Sequence, residues 1–161
     1  MNQFELNDEN YNLEFTTGDS LKIISDFKFY HNKLKFRKEL NILQYLFKKY
    51  LGNPLQAAGI RDTYLNENNT ESFYILFFST YEAIKKLNGI MNNYLDLNIE
   101  KGCFFIESKS EYMILLSKDE EGIIAGIHTM DNILDQILDD YFQKKKFEGY
   151  IEIFPFKLSK Q

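Results

Sequence analysis

An α+β fold is what this 161-residue sequence predicts: a ferredoxin-like βαββαβ unit, with an antiparallel four-stranded sheet and two helices, preceded by a β-hairpin and a helix. Three observations carry it. Short apolar runs stand at Ser72–Phe78 and Tyr112–Leu116, continuous and too short for buried helices, with the strand-like segment Cys103–Glu107 between them, all rich in residues that suit a pleated surface. A long stripe of Ile123, Ile127, Met130, Leu134, Ile137 and Tyr141 alternates four and three apart, as one face of a helix does. Between and around them the order over residues 71–158 reads strand, helix, strand, strand, helix, strand.

Taken from the start, the first ten residues, with Asn2, Asn7, Asp8, Glu9 and Asn10, predict a frayed or partly ordered lead. Tyr11, Leu13 and Phe15 alternate with polar residues, Thr16-Thr17-Gly18-Asp19 has turn composition, and Leu21, Ile23, Phe27 and Phe29 resume the alternation, which predicts a β-hairpin. Asn32 caps a helix with the stripe Phe36, Leu40, Leu43, Phe47 and Tyr50, which stops at Gly52 with Pro54 beyond. Residues 53–70 read as an irregular loop, with one short helical turn through Ala58 closed by Gly59.

The βαββαβ unit follows. Ser79 with Glu82 forms a capping box, and Ile84, Leu87, Met91, Tyr94 and Leu95 predict a helix directly after the first strand. Ser108-Lys109-Ser110-Glu111 joins the next two strands as a hairpin. Asp119 caps the second helix, and Glu120 and Glu121 add negative charge at its positive end. Lys144, Lys145 and Lys146 suit the C-terminal end, and Gly149 allows the exit. Tyr150–Phe156 is the last strand, and Pro155, which cannot donate to a ladder, predicts a sheet edge. The runs beginning at Ser72 and Tyr112, apolar on both sides, are expected in the middle. Such strands need cover on both faces, so the N-terminal hairpin and helix are expected to cover the open face or to extend the sheet.

One domain spanning 1–161 is expected from the length and the 44% hydrophobic content, with 11–52 as hairpin and helix, 53–70 as loop and 71–158 as core. No apolar stretch approaches the roughly 20 residues of a membrane span, and no leader pattern opens the chain, so no membrane contact and a cytoplasmic location are expected. Cys103 is the only cysteine and excludes an intrachain disulfide; it reads as a small core residue within a strand.

Charge is concentrated. Residues 1–70 hold nine basic and nine acidic side chains, so the formal −5 belongs to residues 71–161, with ten basic against fifteen acidic. From Asp119 to Asp140 there are seven carboxylates and no Lys or Arg. On a helical projection Glu121, Asp135 and Asp139 fall opposite the Ile127 stripe, with Asp131 and His128 beside them. These five are the candidate partner-binding residues, since a field of one sign speeds and orients docking of a basic protein. The same face also reads as a solvated surface. His128 and Asp131, three apart, could supply two metal ligands, but nothing supplies a third, so no metal site and no cofactor are expected.

Gly122, Ala125, Gly126 and Thr129 form a small-residue patch that permits close approach of helix to sheet. Tyr112 to Leu138, a strand, a turn and a glycine-bearing helix, resembles over about thirty residues the C-terminal end of profilins. It also resembles the non-catalytic domain that precedes the barrel in some hexosaminidases. The helix between the first two strands of the unit argues against profilin, and no site residue is carried over from either.

There is no nucleophile elbow and no diagnostic triad, so an enzyme is not expected. Phe104, Phe105 and Tyr112 could stack bases, but Lys109-Ser110-Glu111-Tyr112 lacks the RNP1 rhythm and the net charge is negative, so nucleic acid is not an expected partner. The expected function is a non-catalytic protein-binding module of the immunity-protein or antitoxin kind. Its acidic helix face would dock a basic protein. The alternative is a ligand-sensing regulatory domain acting as a homodimer through its sheet.

Overall fold

The computed structural model describes residues 2–23, 28–31, 37–52, 56–59, 74–78, 94, 96–110, 112–117, 119–144 and 150–160, with backbone alone for 28–31, 37, 40, 51, 56–59, 74–78 and 144. In chain order the elements are β1 (Tyr11–Phe15), β2 (Leu21–Ile23), β3 (Lys28–His31), α1 (Arg37–Leu51), β4 (Gln56–Gly59) and β5 (Tyr74–Phe78). Then come β6 (Phe104–Ser108), β7 (Tyr112–Ser117), α2 (Glu120–Lys144), β8 (Ile151–Ile153) and β9 (Phe156–Lys160). The class is α+β. One sheet has the order β1-β9-β6-β7-β5-β3-β4, and β2 pairs with β8 in a second, two-stranded sheet. The run β1-β9-β6-β7 is antiparallel; β7, β5, β3 and β4 are mutually parallel.

The apolar runs fall where their composition requires. β5 and β7 lie side by side in the interior, and every residue of β7 is buried, as expected of parallel strands covered on both faces. β6 and β7 form the expected hairpin, with Phe105 opposite Leu116 and Glu107 opposite Ile114. The last strand departs from a ferredoxin-like arrangement: β9 pairs with β6, and the far side of β5 is taken by β3.

Pro155 is not at a sheet edge. The expected strand Tyr150–Phe156 is divided there: β8 goes to the small sheet and β9 lies inside the large one, between β1 and β6. The proline sits at the corner where the chain changes sheets, so its missing donor removes no ladder bond, while its carbonyl accepts from the Thr16 N–H at 3.0 Å.

The expected N-terminal hairpin is also redistributed. β1 pairs with β9 and β2 with β8, so the two strands follow the same bend as their partners rather than pairing with each other. β3, read from sequence as part of the same strand, belongs to the parallel half of the large sheet. The short helical turn expected through Ala58 is instead β4, parallel to β3; the rest of the loop, 60–70, lies outside the described residues. So do 79–93 and 95, where a helix is expected, and 145–149, which carry two of the three lysines expected at the end of α2.

α1 ends as expected: Gly52 adopts φ +82° and its N–H donates to the Lys48 carbonyl at 2.9 Å, a left-handed stop that glycine alone adopts freely. α2 begins on Asp119, whose Oδ1 accepts from the Gly122 N–H at 2.8 Å. This helix lies across β6 and β7 and packs on α1. Ile123, Ile127, Met130, Ile133, Leu134, Ile137 and Leu138 are all buried against Leu43, Phe47, Met113, Leu115, Phe156 and Leu158, each such side chain contributing roughly 1.5–3 kcal/mol. Close approach is built in by glycine. A Cβ on Gly126 would collide with the Leu115 side chain, and one on Gly122 with Ser117 Oγ and the Cys103 carbonyl.

Of the two readings of the lead segment, frayed or partly ordered, the structure shows an ordered one that is packed on the core. Phe4 is buried, with ring centroids 5.2 Å from Phe15 and 4.9 Å from Phe156. Gln3 accepts from the Phe154 N–H and donates to the Glu152 carbonyl, at 2.8 and 2.7 Å. Gln136 of α2 binds both the N–H and the carbonyl of Glu5, at 3.0 and 2.9 Å. Two side-chain amides thus replace the strand partners that this polar segment lacks.

Candidate functional site

The five residues expected to form one acidic docking face do not share one environment. Glu121 and His128 are exposed, and Glu121 extends over Gly102. Asp139 is exposed and accepts from Gln143 one turn on, at 3.1 Å. Asp135 instead serves the helix pair: it accepts the Tyr50 hydroxyl at 2.9 Å and lies 3.7 Å from Lys49 Nζ, both on the last turns of α1. Asp131 is half-buried beside it. Burial, then the neighbouring Asp135 carboxylate, raises its pKa above the usual aspartate value, against smaller opposing effects of His128 and Lys49. Burial and the bond to Asp135 likewise push the Tyr50 hydroxyl above its ordinary range. Two of the five, Asp131 and Asp135, thus also bear on the helix seam, while the Asp135 side chain keeps about half of its surface, 48%, exposed.

A second constellation was not singled out from sequence. Glu107, in the middle of the large sheet, is a carboxylate that follows the apolar Phe104, Phe105 and Ile106 of β6 and is only 4% exposed. The Tyr94 hydroxyl donates to its Oε1 at 2.7 Å. That hydroxyl is also 2.7 Å from the Tyr112 hydroxyl; having given its one proton to Glu107, Tyr94 must accept from Tyr112. Burial first, then Tyr112 and Glu107, hold Tyr94 far above the usual tyrosine range, so it remains a donor. Lys157, the cross-strand partner of Glu107 on β9, places Nζ 3.8 Å from Oε2. The lysine side chain is half exposed, which leaves that pair screened by water. Tyr94 is therefore the stronger contact of this carboxylate. The signal was legible: a single charge closing the run Phe104-Phe105-Ile106 asks for buried partners.

Phe104, Phe105 and Tyr112 are all buried, with Phe105 the most exposed of the three at 9%. Cys103 precedes β6 rather than lying within a strand; it is half-buried, and with Leu97, Ile99, Phe105 and Lys160 it lines a cleft of about 510 Å³. Among the described residues no group of three or more His, Cys, Asp or Glu could hold a metal, and no helix is long and apolar enough to cross a membrane.

No protein-family model matches the chain, and no curated protein does. Solved structures are similar in fold. A GH20 exo-β-N-acetylglucosaminidase from Vibrio harveyi, solved with N-acetylglucosamine, superposes at a TM-score of 0.57 with 10% identity, over 93% of this chain and 18% of that one. A GH20 β-N-acetylhexosaminidase from Streptomyces coelicolor A3(2) gives 0.57 at 8% identity, covering 92% and 24%. Flavobacterium johnsoniae chitobiase gives 0.51 at 14%, covering 92% and 19%. The chain thus spans less than a quarter of the length of these glycosidases, and at these identities the likeness is one of fold. It overturns the expected immunity-protein or antitoxin-like docking module and its alternative, the homodimeric ligand sensor: nearly the whole chain superposes on part of glycoside hydrolases.

Proposed function

We propose that this chain is a non-catalytic α+β module of the kind carried by GH20 β-N-acetylhexosaminidases, acting together with a separate catalytic domain. The supporting observation is the extent of the likeness, more than nine-tenths of this chain against under a quarter of each enzyme. A (β/α)8 barrel needs roughly 250 residues and eight parallel strands, which neither the 161-residue length nor the mixed sheet provides. The resemblance of Tyr112 to Leu138 to the domain preceding the barrel in some hexosaminidases points the same way.

Immunodepletion tests the reading. An antibody against the chain should remove β-N-acetylhexosaminidase activity from an extract of the source cells, and the purified 161-residue chain should leave a chromogenic N-acetyl-β-glucosaminide unhydrolysed. Depletion of the chain with undiminished activity in the extract would overturn the association. Turnover by the purified chain would overturn the non-catalytic assignment.

A further inference from the structure

Glu107 is half satisfied. Tyr94 serves Oε1, while Oε2 is paired with the Lys157 ammonium at 3.8 Å, beyond hydrogen-bond length. A carboxylate this buried is costly unless its remaining lone pairs find donors. It is not sealed in. Glu107 and Lys157 line a second cleft, of about 500 Å³, with Thr17 and Asp19 from the turn between β1 and β2 and Lys109 and Ser110 from the β6–β7 turn. That volume falls within the roughly 300–1,000 Å³ of small-molecule sites. The turn on one side is held in place by the bond from the Thr16 N–H to the Pro155 carbonyl.

The lining selects the chemistry. Among the described residues of the lining, two carboxylates, Glu107 and Asp19, stand against two ammoniums, Lys109 and Lys157, so their formal charges cancel and they favour neither an anion nor a cation as a whole. Hydroxyls of Thr17 and Ser110 add groups that both donate and accept. A neutral hydroxyl donated to Oε2 would complete the carboxylate at little desolvation cost, and neighbouring hydroxyl oxygens would accept from the ammoniums.

We infer that the cleft between the Thr16–Asp19 turn and the β6–β7 turn binds a neutral polyhydroxylated ligand of the size of one or two sugar units, with Glu107 Oε2 as its central acceptor. The lining of the cleft selects this class independently of the likeness to glycosidases. The inference therefore fails or stands separately from the proposed association with a catalytic domain.

Titration of the 15N-labelled chain with N-acetylglucosamine is the test. Saturable shifts are expected at the amides of Thr16 to Asp19, Lys109 and Ser110. Glu107→Gln should weaken binding about tenfold, the difference between a charged and a neutral acceptor. Thr17→Trp, at an exposed turn position, should fill the cleft and abolish the shifts while leaving the fold unchanged, and it decides the matter if Glu107→Gln does not fold. Absence of saturable shifts, or shifts that survive Thr17→Trp, would overturn the site. Tighter binding of glycine or inorganic phosphate at the same amides would overturn the ligand class. Sugar binding with no loss of extract activity on immunodepletion would uphold this site and remove the proposed association.

Discussion

The Tyr50 hydroxyl donates to Asp135 Oδ1 at 2.9 Å, joining the last turn of α1 to the middle of α2. The Tyr50 ring also stacks on Phe142, with centroids 5.8 Å apart and planes within 11°. One aromatic side chain thus combines ring packing with a charge-assisted hydrogen bond across the helix seam.

Charge reversal at the two acidic positions should therefore have unequal effects. Asp135→Lys removes the acceptor of Tyr50 and sets a cation beside Lys49, and should destabilise the fold by about 1.5–3 kcal/mol. Asp139→Lys, at an exposed position that acts on Tyr50 less than Asp135 does, should cost less, about 0.5 kcal/mol. Urea unfolding of the two variants makes the comparison, and equal effects would show that the seam bond contributes nothing.

Asp131 predicts a pH dependence. Its pKa is raised in the folded chain by burial and by Asp135, so the native state holds its proton to higher pH than the unfolded state does. Stability from this group therefore falls as pH rises from its ordinary value of 3.8 through the raised one. Asp131→Asn should melt at a higher temperature than the parent at pH 7, and the difference should vanish below about pH 3.8. A variant that melts lower at pH 7 would refute the direction, and with it the assignment of burial and Asp135 as the dominant neighbours over His128 and Lys49.

Gly126→Ala tests the close approach of α2 to the sheet. Alanine is the better helix former by about 1 kcal/mol, yet its methyl would meet Leu115 inside contact distance. Overpacking of this kind costs about 1–3 kcal/mol, so a net loss of stability is expected in thermal unfolding. Combining it with Leu115→Ala should cost less than the sum of the two single changes, because the methyl then has room. Strict additivity would mean that the contact is relieved elsewhere.

Local features were legible in the sequence because they depend on neighbours a few residues away. The apolar runs of β5, β6 and β7, the buried stripe of α2, its Asp119 cap, the Gly52 stop and the small-residue packing of Gly122 and Gly126 all follow from spacing and backbone chemistry. Strand partners do not. A strand's alternation says which side faces the core but not which chain lies beside it, so β1 and β2 read equally well as a hairpin or as successive partners of β9 and β8. Pro155 announced a missing donor, and only the tertiary structure decided that the donor is missing at a corner between sheets rather than at an edge. The site follows the same division. Sequence placed a carboxylate at the end of an apolar run, but its meaning depended on Tyr94, Tyr112 and Lys157 being brought to Glu107 by folding. A helical projection put Asp135 on the open side of α2, whereas the direction from which α1 would arrive is a property of the packed molecule and is written in neither helix alone.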